Sequence, residues 1–114
     1  MPRRKDKTEP ASLVERTVNL QALVDYQDGA IVSRTVVDKD TGTVTAFAFD
    51  EGQALSEHTA PFDALVYVFD GSAEIRISGR GFPVGPGEML IMPANKPHAV
   101  KAVSRFKMLL VMIR

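Results

Sequence analysis

Along most of this chain polar and apolar residues alternate in short runs, and turn-forming residues punctuate the runs. Alternation at every second position puts one set of side chains on each face of a strand. Ala73, Ile75 and Ile77 set against Glu74, Arg76 and Ser78 read as a half-buried strand of this kind. Ile31 to Val37 is rich in β-branched side chains, and Asp38, Lys39, Asp40, Thr41 and Gly42 then supply a turn. Thr43 to Phe49 alternates next, until Asp50, Glu51 and Gly52 break it. Ala64 to Phe69 is an apolar run closed by Asp70-Gly71, a pair that predicts a β-hairpin. Ser78, Gly79, Arg80 and Gly81 predict another turn, and Pro86-Gly87 a further one. Glu88 to Met92, Pro97 to Val103 and Phe106 to Ile113 complete a set of about eight short strands, the spacing of an antiparallel sandwich or barrel.

Helix is expected only near the N-terminus. Ser12 followed by Glu15 has the spacing of a capping box, but Thr17, Val18 and Asn19 behind it are poor helix formers. The prediction is at most a short turn over Leu20 to Val24, with Asn19 as its cap. Residues 1–11 are polar and include Pro2 and Pro10, which predicts a flexible leader ahead of one domain over residues 12–114.

Composition narrows the chemistry. The 114 residues are 45% hydrophobic and 25% charged, enough for one core without covalent staples. There is no cysteine, so thiolate metal sites and disulfides are excluded. A metal would have to be held by imidazole, carboxylate, carbonyl or thioether. Lys+Arg and Asp+Glu both number 14, a balance that argues against nucleic acid as a partner, since duplex binding draws on a surplus of cations. The basic run Arg3, Arg4, Lys5 is accompanied by Asp6 and Glu9 and reads as a solvated terminus. No apolar run approaches the ~20 residues that cross a bilayer, and no apolar stretch follows the basic residues as in a secretory signal. No membrane partner and a cytoplasmic location are therefore expected. Leu65, Tyr67 and Phe69 oppose Ala64, Val66 and Val68, so one strand is apolar on both faces. Both faces then need cover, from a second sheet or a partner subunit, which predicts a homodimer.

Two segments carry a resemblance. Gly52, His58 and Gly71 fall on the pattern G-x5-H-x-H-x3-E-x6-G, with Ala60 where a second histidine would stand and Ala64 where the glutamate would. Gly87, Pro93 and His98 fall on G-x5-P-x-G-x2-H-x3-N, with Asn95 for the glycine and Ala102 for the final asparagine. Asparagine is tolerable at that place because it also accepts left-handed dihedrals. Over roughly residues 30–114 the chain thus resembles the cupins. The resemblance implies an all-β fold, a small antiparallel β-barrel or double-stranded β-helix of the jelly-roll type. It also implies that His58 and His98 occupy two of the four places where metal-binding cupins hold a divalent ion.

With alanine at the other two places, the expected metal set is incomplete, since catalytic zinc usually has three protein ligands and non-haem iron two histidines and a carboxylate. Glu57 and Asp63 have the wrong strand parity to substitute, while Glu51 and Gln53 lie in the preceding loop. Met92, Met108 and Met112 could offer a thioether but read more readily as core filler. The space left by the two alanines either collapses around Phe47, Phe49, Phe62 or Met108, or becomes a pocket. In the second case the lining expected is His58, His98, Phe47, Phe49, Met92 and Met108, with Phe62 and Asp63 near its lip. No catalytic residue is assigned: there is no nucleophile elbow, and the glycines are turn glycines rather than a phosphate loop. The expectation is a small cupin whose interior pocket binds a small molecule, without a full metal site and with no certain cofactor. The alternative is a metal-dependent dioxygenase, decarboxylase or isomerase using His58 and His98 as ligands. Metal-free acid–base chemistry would need a carboxylate in contact with one of the histidines, and a purely structural role would need a filled barrel.

Overall fold

The structure, a computed structural model, describes residues 13–114. The expected leader over residues 1–11 and the Ser12 end of the capping box lie outside the described residues. Glu15 itself has a left-handed φ of 60°. The short helical turn forms where expected, as a 3-10 turn over Leu20–Ala22 with the Asn19 side chain accepting from the Gln21 N–H at 2.9 Å.

Nine strands follow among the described residues: β1 (Ile31–Lys39), β2 (Gly42–Phe49), β3 (Ala54–His58), β4 (Asp63–Asp70), β5 (Ala73–Ile77), β6 (Arg80–Val84), β7 (Met89–Met92), β8 (His98–Ala102) and β9 (Phe106–Ile113). They form a five-stranded sheet in the order β1-β2-β9-β4-β7 and a four-stranded sheet in the order β3-β8-β5-β6, and the recorded strand pairings are antiparallel. This is an antiparallel two-sheet architecture of the kind that the alternation and the turn spacing predict, and the jelly roll that the resemblance implies.

Three sequence expectations need correction. Asp70-Gly71 does not close a hairpin: β4 and β5 lie in different sheets, so the turn carries the chain from one layer to the other. Gly71 is required there twice over, because its φ is 66° and a Cβ would run into the Arg105 carbonyl oxygen. Arg80 and Gly81 belong to a strand rather than to the turn before it, and Pro83 is tolerated in that strand because β6 is a sheet edge. Residues 54–58, absent from the set of strands read along the chain, form the edge strand β3.

The core lies between the sheets. Phe49 and Phe106 stack at one end of it with ring centroids 4.5 Å apart, and Ile75, Val66, Val68, Val100 and Met108 continue it. A second cluster sits on the outer face of the five-stranded sheet, where Leu13, Val18, Leu20, Leu23, Val24 and Tyr26 pack over Val32, Val36, Ala46, Ala48 and Leu109. The N-terminal segment is clasped by polar contacts as well. Lys107, only 7% exposed, donates its Nζ to the Gln21 carbonyl at 2.7 Å and lies 5.0 Å from the Tyr26 ring centroid. Tyr26 donates its hydroxyl to Asp70 at 2.5 Å. Burial first, and then that carboxylate, push the phenol's pKa well above its usual value. No helix among the described residues is long and apolar enough to cross a membrane.

Candidate functional site

Strand register brings the two histidines together. β3 and β8 lose register after Leu55 and regain it at His58, whose partner across the ladder is His98. The rings meet edge to face, with centroids 4.4 Å apart and planes at 66°. His98 shares its face with Val100 and Ala102, which point into the core, and is itself buried; His58, at the end of an edge strand, is exposed. The pair therefore sits at one end of the barrel, half in and half out of solvent.

Hydrogen bonding decides what the rings can offer. His58 Nδ1 is 2.8 Å from the Ser56 carbonyl oxygen and His98 Nδ1 is 3.2 Å from that of Lys96. A carbonyl only accepts, so each Nδ1 carries the proton and donates, which leaves each Nε2 in the neutral ring as a free acceptor. Burial is the main reason the His98 pKa falls below the usual histidine value; the Lys96 carbonyl opposes the shift and the neighbouring His58 adds to it. His98 is thus held neutral near pH 7.

The loops at this end are pinned by the main chain. Asn95 N–H donates to the Ala60 carbonyl at 2.8 Å, Ala94 N–H to Asp63 Oδ1 at 2.8 Å, and Ser78 N–H to the Pro97 carbonyl at 2.8 Å. Asn95 holds a φ of 66°, the left-handed geometry expected of it from sequence. Asp63 is therefore occupied as a cap, and Glu57 is exposed on its edge strand. Among the described residues no three His, Cys, Asp or Glu side chains converge as a metal site would require.

The other residues expected to line a pocket divide by depth. Met92 is 3% exposed and pairs across the ladder with Ala64, at the end of the five-stranded sheet that the 59–62 connection joins to His58. Met108 lies deeper in the core, paired with Phe47 on one side and Val68 on the other. Phe47 is half-buried, 6.0 Å from Phe49, while Phe49 is fully buried against Phe106. The histidines are brought together with each other; Phe49 and Met108 are packed as core. Phe62 is half-buried at the rim, with the Arg114 guanidinium 5.8 Å from its ring centroid. Arg114 also donates through Nη1 to the Lys39 carbonyl at 3.0 Å, so it ties the β1–β2 turn to the loop behind His58.

The wall contributed by β1 and β2 went unnoticed in the sequence reading. Ile31 pairs with Phe49, Ser33 with Phe47 and Thr35 with Thr45, so Ser33, Thr35, Thr43 and Thr45 share the core-facing side of the hairpin. Their alternation with Val44 and Ala46 is visible in the sequence. The usual rule that the apolar set turns inward holds for Ile31, Phe47 and Phe49 and fails for these four, whose neighbours Val32, Val36 and Ala46 pack outward under the N-terminal segment.

The comparisons with known proteins agree with this architecture. A family model described as the cupin domain matches residues 46–114. No curated protein matches. Among solved structures, a conserved protein of unknown function from Streptococcus pyogenes is 36% identical over 88% of this chain and 88% of its own, with a TM-score of 0.84. A cupin 2 conserved barrel domain protein from Leptotrichia buccalis is 43% identical over 85% of this chain, which spans 47% of that longer one, with a TM-score of 0.83. A cupin superfamily protein from Desulfitobacterium hafniense is 28% identical over 94% of this chain and 95% of its own, with a TM-score of 0.83.

Proposed function

The chain belongs to the cupin family, and on that premise we propose that it is a small cupin that binds a small molecule at the barrel mouth through His58 and His98, without a full metal site. The observation that carries this reading is the pair itself, two imidazoles with centroids 4.4 Å apart, each with Nδ1 on a main-chain carbonyl. A free Nε2 acceptor at the mouth of an apolar barrel is the kind of sparse polar group that orients a ligand in a mostly apolar pocket. Ala60 and Ala64 stand where the family resemblance expects a histidine and a glutamate, and neither brings a lone pair to that end of the barrel. Residues 12–114 are taken as one domain, with a second copy of the chain as its partner.

A divalent ion fits these residues poorly. Two imidazoles fall short of the three protein ligands usual for catalytic zinc or the two histidines and carboxylate of non-haem iron. One observation nevertheless favours a second reading, in which His58 and His98 are ligands in a metal-dependent enzyme. Both Nδ1 atoms are tied back to carbonyls, an arrangement that also orients imidazoles toward a metal through Nε2.

A ligand-observed NMR screen of mixed metabolites, run on the native chain and on His98→Ala, tests the leading reading. Compounds are expected that shift the His58 and His98 ring resonances and lose binding in the variant at unchanged fold. Hits that bind the variant equally well, or a screen that moves neither histidine, would sink it.

A further inference from the structure

Beyond Ile31, Phe47 and Phe49, the β1–β2 hairpin is amphipathic in the wrong sense. Its outer face carries Val32, Val36, Val44, Ala46 and Ala48, and its barrel-facing side carries Ser33, Thr35, Thr43 and Thr45. A strand pair with one covered face normally turns its apolar set toward the core. Here Ser33 and Thr35 are exposed and Thr43 and Thr45 half-buried, although all four share the side on which Phe47 and Phe49 join the core. The barrel is therefore open and wettable along this wall, opposite the sheet that carries the histidines.

These hydroxyls have nothing to do within the fold. Among the described residues none of the four has a hydrogen-bond partner, whereas the Ser104 hydroxyl accepts from Ser72 N–H at 3.1 Å and donates to the Arg105 carbonyl at 3.0 Å. Each hydroxyl can donate once and accept twice. Thr35 and Thr45 are direct partners across the ladder, so their Cβ atoms stand about 5 Å apart. Thr43 and Thr45 are two residues apart on one strand, roughly 7 Å. The hydroxyls thus span a patch of about the size of one sugar ring. Beside it, Leu110 pairs with Thr45 and Met112 with Thr43, both half-buried and packed against the core. The wall offers hydrogen-bonding and apolar surface side by side.

Charge reaches this interior only at the margins. Asp38 pairs with Thr43 at the end of the hairpin, Arg80 lies over Phe82 at the far sheet edge, and Arg114 is engaged at the rim. An anionic ligand would need a cation within reach. Arg80 pairs with Ile77 in the row that carries His98, and Arg114 follows Met112 at the rim, but each guanidinium is already engaged, Arg80 over the Phe82 ring and Arg114 on the Lys39 carbonyl and the Phe62 ring.

We propose that the mouth takes an uncharged, polyhydroxylated molecule of the sugar or polyol class, held by the hydroxyls of Ser33, Thr35, Thr43 and Thr45 on one wall and by the free imidazole acceptors on the other. This deepens the reading of the mouth as a small-molecule site and rests on it. Such a ligand presents hydroxyl edges and a C–H face, which match the Thr35–Thr45 pair and the Leu110–Met112 strip respectively.

NMR titration with myo-inositol and methyl α-D-glucopyranoside, and with D-glucuronate and glucose 6-phosphate as charged counterparts, tests the assignment. The uncharged probes are expected to shift the Thr35 and Thr45 amides together with the His98 ring. Thr45→Val and Thr35→Val, which keep the side-chain shape, are each expected to weaken binding about five- to tenfold at unchanged melting temperature, the loss of one hydrogen bond. Three outcomes overturn the assignment: none of the four probes shifts these residues, the valine variants bind as the native chain does, or a charged counterpart binds at least tenfold tighter and loses that gain in Arg114→Ala. Screening hits that move the histidines while the valine variants change nothing would sink the polyol class and leave the mouth standing as a site.

Discussion

Asp50 accepts hydrogen bonds from Gly29 N–H at 2.6 Å, from Glu51 N–H at 2.9 Å and from Arg105 Nε at 2.7 Å. The Arg105 contact is the largest cause that holds its pKa down at about 2, with the Gly29 bond next. A carboxylate whose folded pKa lies below its unfolded one binds fewer protons folded than unfolded. Its contribution to stability is therefore complete above the unfolded pKa, near 4, and is lost as pH falls toward 2. Asp50→Asn is expected to melt at a lower temperature than the native chain at neutral pH, with the gap closing between about pH 4 and pH 2. A gap that stays constant across a pH series of thermal melts would show that the charge of Asp50 is not what stabilises the fold. From sequence Asp50 was legible only as a strand breaker, because Arg105 lies 55 residues away and nothing local announces the pair. Asn95 was legible through the resemblance: it stands where the second motif has glycine, and its φ of 66° is the left-handed geometry that such a place implies.

At the scale of elements, local signals were read well and pairings were not. The alternation over Ile31–Lys39, Gly42–Phe49, Ala73–Ile77 and Phe106–Ile113 found strands to within a few residues. Asp70-Gly71 was read as a hairpin because the dipeptide reports a turn and says nothing about which sheet receives the next strand. β3 and β6 were missed for a related reason. Both are edge strands, one carrying mostly exposed side chains and the other Gly81 and Pro83, so neither shows a buried pattern. The two apolar faces of β4 were read correctly, and the structure gives the second face a location. Ile91, Leu65, Val111, Val44 and Val37 pair in turn across β7, β4, β9, β2 and β1, forming one apolar row on the outer side of the five-stranded sheet. Ile91 is 53% exposed and Val37 41%. The N-terminal segment covers the Ala46 and Ala48 side of this face and leaves the row open. We propose a second copy as its cover: the row carries no charge, the chain has zero net charge, and a two-fold axis would set the row against itself. Sedimentation of the native chain at micromolar concentration is expected to give a dimer, and Leu65→Arg a folded monomer. A native chain that sediments as a monomer would remove this reading.

For the whole molecule, the fold was legible because it is written in spacing. Gly52, His58, Gly71, Gly87, Pro93 and His98 mark two motifs, and the strands between them have the lengths of a jelly roll. The candidate site was legible only in part. The histidines could be expected to meet, since the motifs set them on neighbouring strands, and they do at 4.4 Å between ring centroids. Phe49 and Met108 could not be sorted from pocket to core without knowing how deep each row lies. The hydroxyl wall was hidden because its sense depends on residues 13–26 covering the outer face, a long-range fact. What joins these scales is a barrel with Phe49 and Phe106 stacked at one end of its core and two imidazoles at the other, where the family resemblance places a four-ligand centre. We propose that this mouth is a ligand site rather than a metal centre. Elemental analysis of protein purified without chelator or metal-affinity resin, run beside His58→Ala, tests it most directly. Far less than one equivalent of any transition metal is expected in the native chain, with the same trace in the variant. One equivalent in the native chain that disappears in His58→Ala would contradict it.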